Sequence, residues 1–336
     1  MANISDNGEH QNCTLVDQQL KCYFLPVAYS LIFIVGLVGN VTSIGVYLTK
    51  LRPWKSSSII MVNLALTDLL YVLSMPFLVY YYSNGDSWTF GEFMCRFVRF
   101  GFHFNLYGSI LFLTCHAVFR FVVVTRPLKA AQVQQPCWGI VACSFVWIIT
   151  AAEIAPMLKM ITVEELDNKT FCMDFASVIG QSSELHWYSW LLTTLGFLLP
   201  LVVVFICCIG IVMKLAEGPG ASTSSRMRAS RVTVLILVVF VVCFLPYHIL
   251  RVLRVETQHT PNTLCINERV IHAAYIISRP LAGLNTCFNL ALYTLSGDKF
   301  KGAFLSTFQW KGWQTKARSL LLKAFVSRAA TDTAAV

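Results

Sequence analysis

Residues 191–213 read LLTTLGFLLPLVVVFICCIGIVM and contain no charged side chain. A helix needs about 20 consecutive apolar residues to cross a membrane, so this stretch is long enough to do so. The whole chain is similar in character, because 56% of its 336 residues are hydrophobic and only 13% are charged. Soluble domains typically carry about 25% charged residues. The composition therefore indicates an integral membrane protein.

Six other apolar runs of comparable length accompany this one. We call the seven runs spans one to seven, and they cover residues 24–48, 57–83, 96–122, 136–159, 186–213, 231–254 and 270–295. Spans three, six and seven carry cations near one end. No internal repeat is apparent, which counts against the common transporter folds. The fold class predicted is an all-α membrane protein with a seven-transmembrane helix bundle.

A short amphipathic helix is predicted after span seven, where Phe300, Phe304 and Phe308 recur every four residues between lysines. Such a helix lies on a membrane surface. The chain is thus divided into an N-terminal segment (1–23), the seven-helix domain (24–296) and a helix with a basic tail (297–336). The N-terminal segment lacks the basic and apolar regions of a cleavable signal peptide, so span one is expected to direct insertion.

The distribution of charge predicts the orientation. With the N-terminus outside, most of the 26 Lys and Arg lie on the inner side, and most of the 17 Asp and Glu lie on the outer side. This arrangement satisfies the positive-inside rule. The net charge of +9 then faces the anionic lipid of the inner leaflet. The partner expected for these cations is membrane lipid, and nucleic acid is not expected.

A series of landmarks occurs in order along the spans. They are Asn40 in GLVGNV, Asp68 in NLALTDLLY, Trp88 and Cys95 in WTFGEFMC, Arg120 in FRF, Trp147, Pro200, Pro246 in CFLPYH, and Asn285, Asn289 and Tyr293 in NTCFNLALY. Together they resemble the rhodopsin-like (class A) G-protein-coupled receptors across nearly the whole chain. Two positions depart from that family, because Phe119 replaces the usual acid before Arg120 and Leu290 replaces a usual proline.

Four longer blocks are similar to one branch of that family, which holds receptors for 2-oxoglutarate, succinate and extracellular nucleotides. The blocks are RPWKSSSIIMVNLALTDLLY, FHFNLYGSILFLTC, FLPYHILRVLRVE and AYIISRPLAGLNT. The resemblance implies a plasma-membrane receptor for a small anionic metabolite, first a dicarboxylate such as 2-oxoglutarate. It also implies coupling to a heterotrimeric G protein, of the Gq class, and calcium release. Succinate, a cysteinyl leukotriene and a nucleotide remain alternative ligands.

Basic side chains converge on the outer half of the bundle. Arg99 and His103 share a face of span three, Arg251 and Arg254 lie three apart on span six above His248, and Arg279 follows Tyr275 by one turn on span seven. The planar fork of arginine binds both oxygens of a carboxylate. Two groups of arginines suit a ligand with two acids, with Tyr107 and Tyr247 as lining or core.

Alternatives exist for these residues. The arginines would instead extend to lipid headgroups or pair with Glu153, Asp174, Glu184 or Glu256. Arg254 is near the surface, and His248 fits a packing role equally well.

The remaining sites follow from the resemblance. It implies a sodium ion at Asp68 with Asn105, Ser109, Asn285 and Asn289, against a protonated Asp68 as the alternative, and no other cofactor or metal. It assigns G-protein coupling and activation to Arg120, Pro127, Phe244, Pro246, Asn289 and Tyr293. It implies a Cys95–Cys172 disulfide and a bond from Cys265 to the N-terminal segment, where Cys13 is preferred and Cys22 competes. Asn3, Asn12 and Asn168 are glycosylation sequons on the outer side.

Other classes of protein find less support. The sequence has no metal-ligand spacing such as H-E-x-x-H and no glycine-rich phosphate loop, so no enzyme is predicted. An anion transporter or channel is the alternative from a different class. A signalling partner that needs no ligand is a third, suggested by Phe119.

Overall fold

A computed structural model describes residues 20–166, 169–174, 183–216, 223–259, 265–296 and 298–308. The sequons Asn3, Asn12 and Asn168, together with Cys13, lie outside the described residues, as does the side chain of Cys265.

All seven predicted spans are helical. Their helices are Leu25–Thr49 for span one, Ser56–Val72 and Met75–Ser83 for span two, Gly91–Thr125 for span three, Pro136–Ile154 and Met157–Met160 for span four, Ser183–Thr193 and Leu199–Ala216 for span five, Thr223–Val239 and Leu245–His259 for span six, and Cys265–Gly283 and Asn285–Ser296 for span seven. A short helix, Pro127–Val133, joins spans three and four.

Six of the spans are long and apolar enough to cross a membrane by length and composition alone. Span seven differs because its longer helix includes three charged residues, Glu268, Arg269 and Arg279, and its second helix is only 12 residues long. It packs within the bundle against spans one, two and six. The seven-helix prediction is thereby confirmed.

Spans five and six each contain a wider π-helical turn directly before a proline. These turns are Thr194–Leu198, before Pro200, and Phe240–Phe244, before Pro246. Proline has no backbone N–H, and its ring crowds the carbonyl four residues earlier. That carbonyl belongs to Gly196 in span five and to Val242 in span six. The wider turn relieves this crowding while both helices continue.

Span seven is interrupted at Leu284. Pro280 lies four residues earlier, and the Leu284 amide donates to its carbonyl oxygen at 3.0 Å. The helix of span seven is thus interrupted although position 290 is leucine and not proline. Leu290 fills space beside span one, where a Cβ on Gly39 would lie 2.3 Å from its side chain.

Buried polar side chains connect the spans at several levels. The Asn40 amide donates to the Thr286 carbonyl at 3.3 Å, and the Tyr293 hydroxyl to the Asn40 side-chain oxygen at 3.4 Å. The Trp147 indole donates to the Asn63 side chain at 2.8 Å. These bonds fix span seven against span one and span four against span two.

A two-stranded antiparallel hairpin caps one end of the bundle. Strand β1 is Val163–Leu166 and strand β2 is Lys169–Cys172, with Val163 opposite Cys172. Cys172 forms a disulfide with Cys95 at the start of span three, as predicted. We call this end of the bundle the disulfide end. Cys22 is a free thiol, and the Cys13–Cys265 bond stays a prediction.

The helix after span seven is Asp298–Phe308. Phe300 is buried against Tyr47 and Tyr293, with ring centroids 5.0 and 6.0 Å apart, while Lys299 and Lys301 are exposed. The predicted amphipathic character is confirmed for the described side chains. This helix also rests on span one, because the Lys50 amine donates to Ser306 Oγ at 3.1 Å.

Candidate functional site

A cavity of about 270 Å³ opens at the disulfide end, between spans one, two, three, six and seven and the hairpin. Its charged lining side chains are Lys21, Asp86, Arg99, Glu164, Asp174, Arg254 and Arg279, with His272, Tyr81 and Tyr82 among the others. Predicted ligand residues Arg99, Arg254 and Arg279 therefore share one cavity.

Arg99 is 8% exposed and is fixed by neutral groups. It donates to the Cys172 carbonyl at 2.7 Å and to the Tyr82 hydroxyl at 3.5 Å. Its Nε is buried without a hydrogen-bond partner among the described residues, and no described carboxylate forms an ion pair with it. A buried cation in this position favours an incoming anion.

Arg279 has a carboxylate partner within the protein. Its Nη2 donates to Asp174 Oδ2 at 3.0 Å, and the Tyr275 hydroxyl donates to the same oxygen at 3.3 Å. Asp174 follows strand β2 and is 2% exposed. The sequence left two roles open for the arginines, ligand binding or pairing with an acidic residue. In this structure Arg279 is paired with Asp174.

His103 lies beneath the cavity and is fully buried. Its Nδ1 is 2.9 Å from the Arg99 carbonyl oxygen, which only accepts, so Nδ1 carries the proton. Its Nε2 is 3.1 Å from the Tyr247 hydroxyl and 3.9 Å from Asp174 Oδ1. The ring therefore connects spans three and six to the Asp174 carboxylate.

Arg251 does not line this cavity. It is fully buried, and its guanidinium donates to the Tyr107 hydroxyl and, at 2.7 Å, to Thr193 Oγ1 on span five. It also lies over the Tyr247 ring, 5.7 Å from the ring centroid. The arginines that the sequence places in one half of the bundle therefore lie at two levels, with Arg251 and Tyr247 below the cavity.

The packing around Arg251 depends on span five. A Cβ on Gly196 would lie 2.6 Å from the Tyr107 ring, so glycine in the π-helical turn lets that ring approach. His248 stacks on Phe197 with centroids 4.2 Å apart, and its Nδ1 is 2.8 Å from the Phe244 carbonyl oxygen. His248 therefore has packing contacts and is not a lining residue of the cavity.

Several cavity residues were not predicted. Lys21 forms an ion pair with Asp86 at 3.2 Å at the rim, and Tyr82 and His272 line the wall. Lys21 precedes span one, Tyr82 lies on span two and His272 lies on span seven. Tyr82 and His272 lie within apolar runs and carried no charge signal, so only the packing of the spans identifies them.

The Asp68 cluster lies deeper in the bundle. Asp68 accepts hydrogen bonds from the side-chain amides of Asn105 and Asn289, both at 2.9 Å, and Asn105 also donates to Ser109 Oγ at 3.4 Å. The Oδ1 atoms of Asn285 and Asn289 are buried without a partner among the described residues. Four of the five predicted residues are therefore joined by hydrogen bonds, and Asn285 lies one turn before Asn289 on span seven. Two of their oxygens receive no hydrogen bond from the described part of the chain.

Comparison with known proteins decides the family. The model of the seven-transmembrane receptor (rhodopsin) family matches residues 39–293.

The chain belongs to the rhodopsin family of seven-transmembrane receptors.

The chain is 48% identical to the rat 2-oxoglutarate receptor 1 over 301 residues, which cover 90% of this chain and 89% of the relative. It is 36% identical to the chicken purinoceptor 1 over 293 residues (86% and 80%) and to the human purinoceptor 4 over 287 residues (85% and 78%). These relatives are receptors and not enzymes. The chain is accordingly a multi-pass receptor of the plasma membrane that couples to a G protein and binds a small ligand.

Of the residues assigned to coupling, Arg120 and Pro127 lie at the end of the receptor opposite the disulfide, whereas Phe244 and Pro246 lie within span six. Arg120 Nε is 3.4 Å from His116 Nε2 on span three, and Phe119 is partly buried against the core. Pro127 begins the short helix that joins spans three and four. Phe244 ends the π-helical turn of span six, and Pro246 is the second residue of the helix that follows it.

Proposed function

We propose that this receptor responds to a small dicarboxylate such as 2-oxoglutarate. The observation that carries the proposal is that Arg99 and Arg279 line one cavity but differ in whether they have a carboxylate partner. Among the described residues, Arg99 has no carboxylate partner, and Arg279 is paired with the carboxylate of Asp174 alone. One ligand carboxylate would bind Arg99, and the other would compete with Asp174 for Arg279. The names of the 2-oxoglutarate relatives support the same chemistry.

The volume of the cavity supports a small ligand. At about 270 Å³ it is slightly smaller than ordinary ligand pockets, which span about 300–1,000 Å³. A nucleotide, with its base, ribose and phosphates, requires more room. The described part of the cavity therefore favours a small acid over the purine ligands that the purinoceptor relatives are named for.

Signalling would follow from different affinities for two conformations. A ligand that joins Arg99 on span three to Arg279 on span seven stabilises the conformation in which they are close. The disulfide end would face the exterior, as the charge distribution predicts, and the Arg120 end the cytoplasm. We further propose that the active receptor couples to Gq and thereby causes release of calcium inside the cell.

A panel of ligands tests it. Cells that express the receptor would be given dicarboxylates, nucleotides and leukotrienes while intracellular calcium is recorded. A response to 2-oxoglutarate that a Gq inhibitor abolishes is expected. A response to nucleotides or leukotrienes alone would overturn the choice of ligand. Ligand uptake in the absence of signalling would favour a transporter, and strong signalling that no ligand alters would favour a ligand-independent partner.

We also propose a sodium ion beside Asp68. The two buried oxygens without described donors, on Asn285 and Asn289, fit a cation that prefers oxygen ligands. The ion would offset the buried charge of Asp68 and stabilise the unliganded receptor. Sodium is expected to lower agonist affinity in the native receptor and to have no effect after Asp68→Asn. Agonist binding that sodium leaves unchanged in the native receptor would contradict this site and leave the ligand proposal unaffected.

A further inference from the structure

A second cavity, of about 340 Å³, lies at the Arg120 end of the receptor. It is bounded by the ends of spans one, two and three and by the helix Asp298–Phe308. None of its described lining residues comes from span five or six. It is therefore separate from the cavity at the disulfide end.

The lining of this cavity is strongly basic. Five cations surround it, namely Lys50, Arg52, Lys55, Arg120 and Lys299, and no Asp or Glu is among its described lining residues. Four serine or aromatic groups, Ser57, Ser58, Tyr47 and Phe300, complete much of the wall. Several cations of one sign around a concave surface concentrate anions there.

The contacts that the structure gives Lys50 and Arg52 are with neutral groups. The Lys50 amine donates to Ser306 Oγ at 3.1 Å and to the Ala303 carbonyl at 3.5 Å. The Arg52 guanidinium lies 5.3 Å from the Trp54 ring centroid. Lys50, Arg52, Lys55 and Lys299 form no ion pair with any described carboxylate. The described lining thus supplies no internal counter-ion of the kind that Asp174 provides at the disulfide end.

A buried polar atom points to a ligand independently of the charge. His116 lines the cavity and is 1% exposed, yet its Nδ1 has no hydrogen-bond partner among the described residues. Buried polar groups are almost always hydrogen-bonded, so a site beside His116 that receives a ligand or water is expected.

We propose that this cavity binds the phosphorylated inositol headgroup of an anionic membrane lipid. Phosphates match lysine and arginine side chains, and basic pockets between transmembrane helices on the cytoplasmic side bind such headgroups. The ends of spans one and two place the cavity at the level of the lipid headgroups. Bound there, the headgroup would hold the helix Asp298–Phe308 against span one.

Direct binding to the purified full-length receptor tests the proposal without an agonist. Native mass spectrometry would measure a short-chain phosphatidylinositol bisphosphate, with phosphatidylserine as the comparison lipid. Lys55→Gln with Lys299→Gln removes two lining charges from exposed positions. Lys129→Gln with Lys301→Gln removes two charges from the same end outside the cavity and is the matched control.

We expect the double variant of the lining lysines to weaken inositol-lipid binding about 25-fold, at about fivefold for each cation near an anionic surface. The control pair should change binding less than twofold. Competition by free inositol trisphosphate would show that the headgroup alone occupies the site, and failure of competition would assign the site to the intact lipid. The proposal would be overturned if both double variants lost inositol-lipid binding equally, if phosphatidylserine bound equally well, or if the inositol lipid did not bind the native receptor.

Discussion

At the scale of single residues, three of the four arginines expected to bind ligand differ in their partners. Arg99 is held by neutral groups, Arg279 by Asp174, and Arg251 by Tyr107 and Thr193 beneath the cavity. Sequence spacing placed all three in one half of the bundle, which is correct. It could not separate them, because burial of Arg251 depends on rings from spans three and six and on a hydroxyl from span five.

The substitution Arg99→Gln tests the cation that has no described carboxylate partner. Loss of one member of a buried charge pair costs about 2–5 kcal/mol, so the concentration for half-maximal response to dicarboxylate should rise at least about 30-fold. Arg96→Gln is the matched control, because Arg96 lies one turn away, is 44% exposed and pairs with Glu92. An unchanged dose–response curve in Arg99→Gln would contradict the assignment of Arg99 to binding of a ligand carboxylate.

Asp174→Asn tests the tethered carboxylate. Breaking a buried pair by removing one partner costs about 3–5 kcal/mol, and here both Arg279 and His103 lose a negative neighbour. The melting temperature of the ligand-free receptor should fall by several degrees, and saturating dicarboxylate should restore most of the loss. Thermal unfolding of the purified receptor measures both. An unchanged ligand-free melting temperature would count against the role of Asp174.

At the scale of helices, the sequence located all seven spans, because hydrophobic length is a strong signal. It did not locate the π-helical turns or the interruption at Leu284. Pro200, Pro246 and Pro280 mark where a helix loses a hydrogen bond, but the response depends on neighbouring spans. Span five gains a wide turn facing Tyr107, and span seven breaks where Gly283 lies against Tyr71.

Gly196→Ala tests the packing of span five on Tyr107. The added Cβ would lie 2.6 Å from the Tyr107 ring, and overpacking of this kind costs about 1–3 kcal/mol. Lower surface expression and a lower melting temperature are expected. Gly45→Ala is the control, since nothing lies within 4 Å of a Cβ there, and it should be neutral or slightly stabilising. Equal behaviour of the two variants would show that Tyr107 moves aside freely.

At the scale of the whole molecule, the charge distribution predicts an extracellular N-terminus. Asn3, Asn12 and Asn168 should then carry glycans. Asn40-Val-Thr also fits the sequon, but Asn40 lies within span one, is fully buried, and its amide donates to Gly36 and Thr286, so it should not be modified. Replacing the three sequons by Gln should abolish the electrophoretic shift caused by removal of N-glycans. Absence of that shift in the native receptor, or an N-terminal tag that antibodies reach only after permeabilisation, would contradict this orientation. A shift that persists in the triple variant would contradict the choice of glycosylation sites.

Binding of labelled 2-oxoglutarate to the purified receptor in lipid nanodiscs tests the proposed ligand site most directly. Saturable binding of about one molecule per receptor is expected, with retention in Arg96→Gln and loss in Arg99→Gln and Arg279→Gln. Excess succinate and nucleotide would be compared as competitors. Absence of saturable 2-oxoglutarate binding to the folded receptor, or binding that all three variants retain, would contradict a dicarboxylate site between spans three and seven.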